Sequence, residues 1–214
     1  MTPDTSAAPP SAHALALAGT DLPDARPPIV RVEEAREVVV VLSRSRDPGR
    51  EVFLERCAAD RVPVVVRPSG GGAVVLAPGI VAASVLRSAG GGDRFPEPHF
   101  RRLCGAAAEA LAACGVAGVA MRGVSDLCLG ERKVAGSSIR LAGGNVLFQI
   151  SVLVAPDLGL LERYLRHPSR EPDYRRGRPH REFVTSLREA GFSVAPSRVA
   201  AALRARLESL VLSA

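Results

Sequence analysis

Two stretches of the chain pair cations with residues too small to block access to them. The first is Arg67-Pro68-Ser69-Gly70-Gly71-Gly72-Ala73-Val74-Val75. A glycine triplet packs nothing and costs backbone entropy, so its use is bare backbone that a ligand can approach. Its N–H groups can point at an anion, and Arg67 and Ser69 add a planar cation and a hydroxyl just ahead of it. That combination suits a nucleotide or acyl-phosphate cradle. It is not a Walker loop, since no Gly-Lys-Ser/Thr follows, nor a Rossmann turn, since no G-x-G-x-x-G opens a helix. The second stretch holds Asp126 and Leu127, then Lys133-Val134-Ala135-Gly136-Ser137-Ser138-Ile139-Arg140. Lys133 is the only lysine in the sequence. Lysine is a point charge on a long stem, suited to reaching a phosphate or a developing oxyanion. Gly136, Ser137 and Ser138 would let a ligand lie against the backbone beside it.

The elements that must position these residues read as strands in runs, with helices between some of them. The apolar, β-branched run Val62 to Val66 leads into the glycine triplet as a strand, and Ala73 to Leu76 leaves it as another. Ile29 to Val32, Glu37 to Ser43, Ile80 to Leu86, Val116 to Arg122 and Val146 to Val154 also read as strands. Asp126 to Leu129 and Lys133 to Leu141 form a hairpin through Gly130-Glu131, which sets the carboxylate and the ammonium on neighbouring strands. Helices are expected over 49–60, 100–114 (closed by Gly115), 158–165, 181–190 and 197–212, and a shorter one over 11–18. Ser88 to Asp93 is a glycine-rich loop, and Arg166 to Arg178 a basic, proline-broken one. This order argues an α+β fold with a mixed, largely antiparallel sheet and helices packed on one side.

The 214 residues are enough for one ordinary domain with its own core, built from Val, Leu and Ala because aromatics are only 4% and Trp is absent. Residues 1–28, rich in Pro, Ala, Ser and Thr, read as a flexible leader, and 29–214 as the domain. No apolar run approaches the roughly 18–20 residues of a membrane span. No basic-then-apolar start marks a signal peptide, so the default compartment is the cytoplasm. The formal charge of +6 is mostly arginine. It favours acidic partners and nucleotides. Nucleic acid is disfavoured, since no aromatic RNA-binding pattern, zinc finger or basic helix stands out. Cys57, Cys104, Cys114 and Cys128 match no zinc or redox spacing and read as reduced thiols.

Together the two stretches resemble the lipoate–protein ligase family, within the wider group of biotin ligases, lipoate ligases and octanoyl transferases. The family pattern is about R-R-x-S-G-G-G-x-V-x-H, then D-L-x-x-x-x-x-K-x-x-G-x-S/A-x-R. The chain carries Arg67, Ser69 and Gly70 to Gly72 of the first, and Asp126, Leu127, Lys133, Gly136, Ser138 and Arg140 of the second. The segment from Leu161 to Arg178 also looks like one branch of that family, so the resemblance covers residues 60–190 or so. It implies a class II synthetase/biotin ligase-like catalytic domain, with a curved mixed sheet. It implies ATP and Mg²⁺ as cofactors, lipoate or octanoate as substrate, and an acyl-adenylate as intermediate. The acceptor it implies is a lysine of a lipoyl carrier domain, on a 2-oxoacid dehydrogenase E2 component or a glycine cleavage H protein. Arg67, Gly72, Ala73, Val74 and Val75 fall on the family's ATP-contacting loop, and Lys133 on its lysine contacting both ATP and lipoate. Within that chemistry, Arg67 can take a phosphate bidentately. Lys133 can bridge acyl and phosphate oxygens, and Asp126 can orient Lys133 or hold Mg²⁺. Ser69, Gly70, Gly71, Ser137, Ser138 and Arg140 complete the expected contacts.

The chain also departs from the pattern. Val75-Leu76-Ala77 stands where the family has its histidine, Phe148-Gln149-Ile150-Ser151 replaces a histidine-rich segment, and a chain this short does not accommodate the usual accessory domain. Three readings stay open: a ligase whose partner subunit supplies the rest, an octanoyl transferase, and a non-catalytic binding homologue. The transferase would draw on acyl-carrier protein through a cysteine thioester, with Cys128 the nearest thiol to Lys133 in sequence.

Overall fold

A computed structural model describes residues 9–90 and 95–212. Residues 1–8 of the expected leader and 91–93 of the expected glycine-rich loop, with residue 94 after it, lie outside the described residues.

The strands sort into two sheets. Six pair antiparallel in the order β1 (Ile29–Glu34), β5 (Ile80–Ser88), β9 (Asn145–Leu153), β8 (Arg132–Ala142), β7 (Asp126–Leu129), β6 (Val119–Arg122). Three more make a small mixed sheet, with β2 (Val39–Ser43) between β3 (Val64–Arg67), which runs parallel to it, and β4 (Val74–Leu76), which runs antiparallel. β2 is apolar at four successive positions and buried throughout, as a strand covered on both faces must be.

Alternation along β5 and β9 decides what each face of the large sheet packs against. Val81, Ala83 and Val85 of β5, with Phe148, Ile150 and Val152 of β9, meet two long helices, α4 (Pro96–Ala113) and α7 (Pro196–Leu212). Ile80 and Ala82 on the opposite face belong to a second cluster with the small sheet. Strand periodicity thus places the small sheet, and the glycine triplet between β3 and β4, over the large sheet's other face.

Several expected elements differ in extent. The expected leader is packed from Ala12 onward: helix α1 (Ala12–Ala18) is capped by Ser11 and Gly19, and Ala14, Leu17, Ala18 and Leu22 are buried. Three apolar side chains on one face outweigh a polar, proline-rich composition. The expected helix over 49–60 splits into α2 (Pro48–Glu51) and α3 (Leu54–Ala59), because Val52 turns inward to bridge Leu165 and the Phe53 amide donates to the Tyr164 carbonyl. α4 starts at Pro96 rather than after His99, since the amides of a first turn have no helical partner and proline costs nothing there. After α5 (Gly159–Tyr164), the expected helix over 181–190 keeps one turn, α6 (His180–Phe183). Beyond it the backbone runs along the sheet: the Thr185 amide donates to Lys133, Leu187 to Leu153 and Arg188 to Val154. Those long-range bonds and the burial of Val184 and Leu187 override helical propensity.

Candidate active site

Arg67 closes β3 and is only 6% exposed. Its terminal nitrogens donate to the carbonyls of Gly70 (2.7 Å), Gly72 (2.7 Å) and Val41 (3.3 Å), while its Nε has no partner among the described residues. Burial pushes its pKa down to about 10, still charged at neutral pH. The fork expected to grip a phosphate is therefore spent on the glycine triplet, where it holds the carbonyls of Gly70 and Gly72. Gly71 has φ +97°, and a β-carbon there would stand 2.9 Å from the Arg67 guanidinium. Gly72 faces open space.

Ser69 lies under the loop. Its hydroxyl donates to Gln149 Oε1 (2.5 Å) and pairs with the Ser138 hydroxyl (2.9 Å). Gln149 Nε2 in turn donates to the Ala18 carbonyl (2.9 Å) and lies 3.3 Å from the Ser84 hydroxyl. One buried chain of polar groups thus ties the glycine loop to β8, β9, β5 and α1. Such networks fix geometry because an unmade bond there leaves a desolvated group.

Lys133 sits where the β7–β8 ladder slips. Cys128 faces Lys133 and Leu127 faces Ala135, so a β-bulge absorbs Val134 and brings Gly136 opposite Asp126. The lysine stem folds across Gly136, and Lys133 Nζ meets Asp126 Oδ1 at 2.7 Å. Asp126 Oδ2 accepts the Tyr174 hydroxyl at 2.8 Å. Burial, reinforced by the Asp126 charge, raises the Tyr174 pKa, so the phenol stays a donor. Both carboxylate oxygens are thereby committed. No group of three or more His, Cys, Asp or Glu side chains that could hold a metal occurs among the described residues.

A cleft of about 810 Å³ joins the two stretches. Arg67 and Gly71 to Val75 border it from the loop, and Asp126, Lys133, Gly136, Ser137 and Ser138 from β7 and β8. Ser69, Gly70 and Arg140 are not on its lining: Ser69 is buried beneath, the Gly70 amide donates to the Ile139 carbonyl, and Arg140 lies farther along β8. Ser137 also borders the cleft, with its hydroxyl held by the Ser125 carbonyl at 2.7 Å. Cys128 is 1% exposed, and burial raises its pKa, which disfavours the thiolate a thioester would need. The sequence reading assigned no role to Tyr174, Arg175, His180 or Arg46, all of which border the cleft. The first three belong to the segment from Pro168 to Val184. Arg46 Nε donates to the Gly71 carbonyl and its Nη1 to the Ser169 hydroxyl, joining that segment to the glycine loop. The proline-broken, arginine-rich composition of 166–178 was the available signal.

Residues 14–208 match the lipoyl protein ligase A/B catalytic domain family. A curated lipoate–protein ligase of Streptococcus pyogenes serotype M5 (strain Manfredo) is 36% identical over 131 residues, 60% of this chain. The chain spans 37% of that relative's length. Among solved structures, a bi-partite lipoate protein ligase from Thermoplasma acidophilum, studied with its E2 lipoyl domain, superposes with TM-score 0.78 at 23% identity, covering 94% of this chain and 78% of that one. Lipoate-protein ligase A bound with ATP gives TM-score 0.75 at 24% identity, covering 94% of this chain and 80% of that one. At such identities these structures show the shared fold.

Proposed function

The chain belongs to the lipoyl protein ligase A/B catalytic domain family, and from that premise we propose that it activates lipoate or octanoate with ATP and passes the acyl group to a lipoyl carrier domain. The observation that carries the reading is the meeting of Lys133, paired to Asp126, with the open Gly71–Gly72 surface across one cleft. In the first step a carboxylate oxygen of the acid attacks the α-phosphorus of ATP, and the bond to pyrophosphate breaks. Negative charge grows on the phosphoryl and carboxyl oxygens, where a fixed ammonium lowers the barrier most. In the second, a carrier lysine amine attacks the acyl carbon and AMP leaves. Lys133 then faces the oxyanion of that tetrahedral state, and Asp126 holds it in place. The glycine loop lends close backbone approach to the nucleotide.

The carrier is the lipoyl domain of a 2-oxoacid dehydrogenase E2 component or the glycine cleavage H protein, and the setting is the cytoplasm. The bi-partite ligase of T. acidophilum supports a separate accessory subunit as part of the working enzyme. The test is incubation with ATP, lipoate or octanoate and a purified lipoyl domain, read by intact mass. A carrier mass increase by one acyl group, dependent on ATP and absent in Lys133→Ala, is the expected result. No acyl transfer, with or without an added accessory subunit, would sink it.

A further inference from the structure

We infer that Arg175 is an oxyanion-binding residue of the cleft, holding a phosphoryl or carboxylate group of the reactants from the segment that also carries Tyr174, the hydroxyl donor to Asp126. The inference rests on the reading of this cleft as an acid-activating site.

Arg175 ends a 3-10 turn (Asp173–Arg175) and borders the cleft, yet its side chain is only 5% exposed. Its Nε donates to the Arg178 carbonyl at 2.9 Å, and Arg178 Nε returns a bond to the Arg175 carbonyl at 3.0 Å. The guanidinium carbon lies over the Phe183 ring, 4.8 Å from its centre. Nη2 has no partner. The nearby Glu171 does not neutralise this cation cleanly. Its Oε2 is 3.4 Å from Arg175 Nε and also holds His167 at 3.0 Å, while Oε1 accepts the Gly177 amide at 2.8 Å. An arginine does not shed its charge at working pH. A buried, charged donor left empty is costly, and an oxyanion is its natural complement. Arg67, the other buried arginine on this cleft, has its terminal nitrogens on backbone carbonyls. Arg175 therefore has a terminal nitrogen to give where Arg67 does not. Phe183 and the Arg178 carbonyl fix its plane, so the direction of Nη2 is set before a ligand arrives.

The test compares binding of pyrophosphate, ATP and octanoate to the full chain and to Arg175→Gln by calorimetry, with circular dichroism confirming the fold. The expected result is a loss of roughly ten- to hundredfold in affinity. Loss for pyrophosphate and ATP assigns the subsite to a phosphoryl group, and loss for octanoate alone assigns it to the carboxylate. Either outcome upholds the inference. Should Arg175→Gln not fold, Arg175→Lys keeps the charge, removes the planar fork and gives a smaller loss of the same pattern. Unchanged affinities in a folded variant, or no binding of any probe by the wild type, would overturn it. Loss of pyrophosphate binding in a protein that activates no acid would leave the subsite standing and remove the functional reading. Acid activation with unchanged constants would do the reverse.

Discussion

A β-carbon at Gly136 would stand 2.6 Å from Lys133 Nζ and 2.7 Å from its Cε. The glycine is therefore the floor over which the lysine reaches Asp126. The obstructed atoms are the far end of a flexible side chain, and Gly136 needs no left-handed backbone. Gly136→Ala should then fold with a melting temperature within a few degrees of wild type, while Lys133 swings off Asp126. We expect acyl transfer to fall roughly a hundredfold, the scale of losing one fixed donor to a developing oxyanion. Mass-resolved transfer rates beside a thermal melt check this. Equal loss of stability and rate, or neither, would refute the floor role.

Tyr174→Phe tests the other side of Asp126. Removing the phenol leaves Asp126 Oδ2 with no protein donor and frees the carboxylate to rotate. An unsatisfied, largely buried acceptor costs about 1–3 kcal/mol. The rate of transfer should drop about tenfold with little change in the KM for ATP, since Tyr174 acts through Asp126 on Lys133. A melting shift without a rate change would mark the bond as structural only.

Parts of this site were legible from residue order, and parts were not. Asp126 and Lys133 share one hairpin, so their nearness was legible, whereas regular alternation would set Lys133 and Gly136, three residues apart, on opposite faces. The bulge at Val134 was not legible, because register depends on the partner strands. Arg67 reads as a free cation beside a glycine triplet. Only the folded chain, which buries Arg67 beside β2, shows that the fork is spent on Gly70 and Gly72. The bond from Tyr174 to Asp126 crosses most of β7, β8 and β9 in sequence, and no local pattern announces it. The same holds for the short α6, where bonds from Thr185 and Leu187 to the sheet end a helix that its composition favours.

Cys128 supplies a third prediction. Its thiol is buried, and the Tyr174 hydroxyl lies 3.4 Å away. Because burial raises its pKa, the thiolate fraction at neutral pH is small. Cys128→Ala should keep acyl transfer within about twofold of wild type, allowing for a small packing loss. Intact mass of the wild type with an acyl donor should show no thioester. A trapped acyl group on Cys128, lost in the alanine variant, would restore the transferase chemistry.

His180 gives the pH dependence of stability. It borders the cleft at the start of α6, and its Nε2 lies 3.1 Å from the Arg166 carbonyl, the geometry of a donor from the neutral ring. Burial lowers its pKa below the ordinary 6.5, and the charges of Arg175 and His167 push the same way, against the bond to Arg166 and the charge of Glu162. The folded protein therefore resists the proton that the unfolded chain accepts. As pH falls through about 6.5 the unfolded state binds more protons, so stability falls with it. Above that pH the contribution is complete. Below the depressed folded-state pKa both states are charged and the slope vanishes. Urea midpoints measured between about pH 8 and pH 5 should decline for wild type on the acid side. In His180→Gln, whose amide can still donate to Arg166, that decline should flatten. A slope unchanged by the substitution would assign the acid sensitivity to other groups and detach His180 from it.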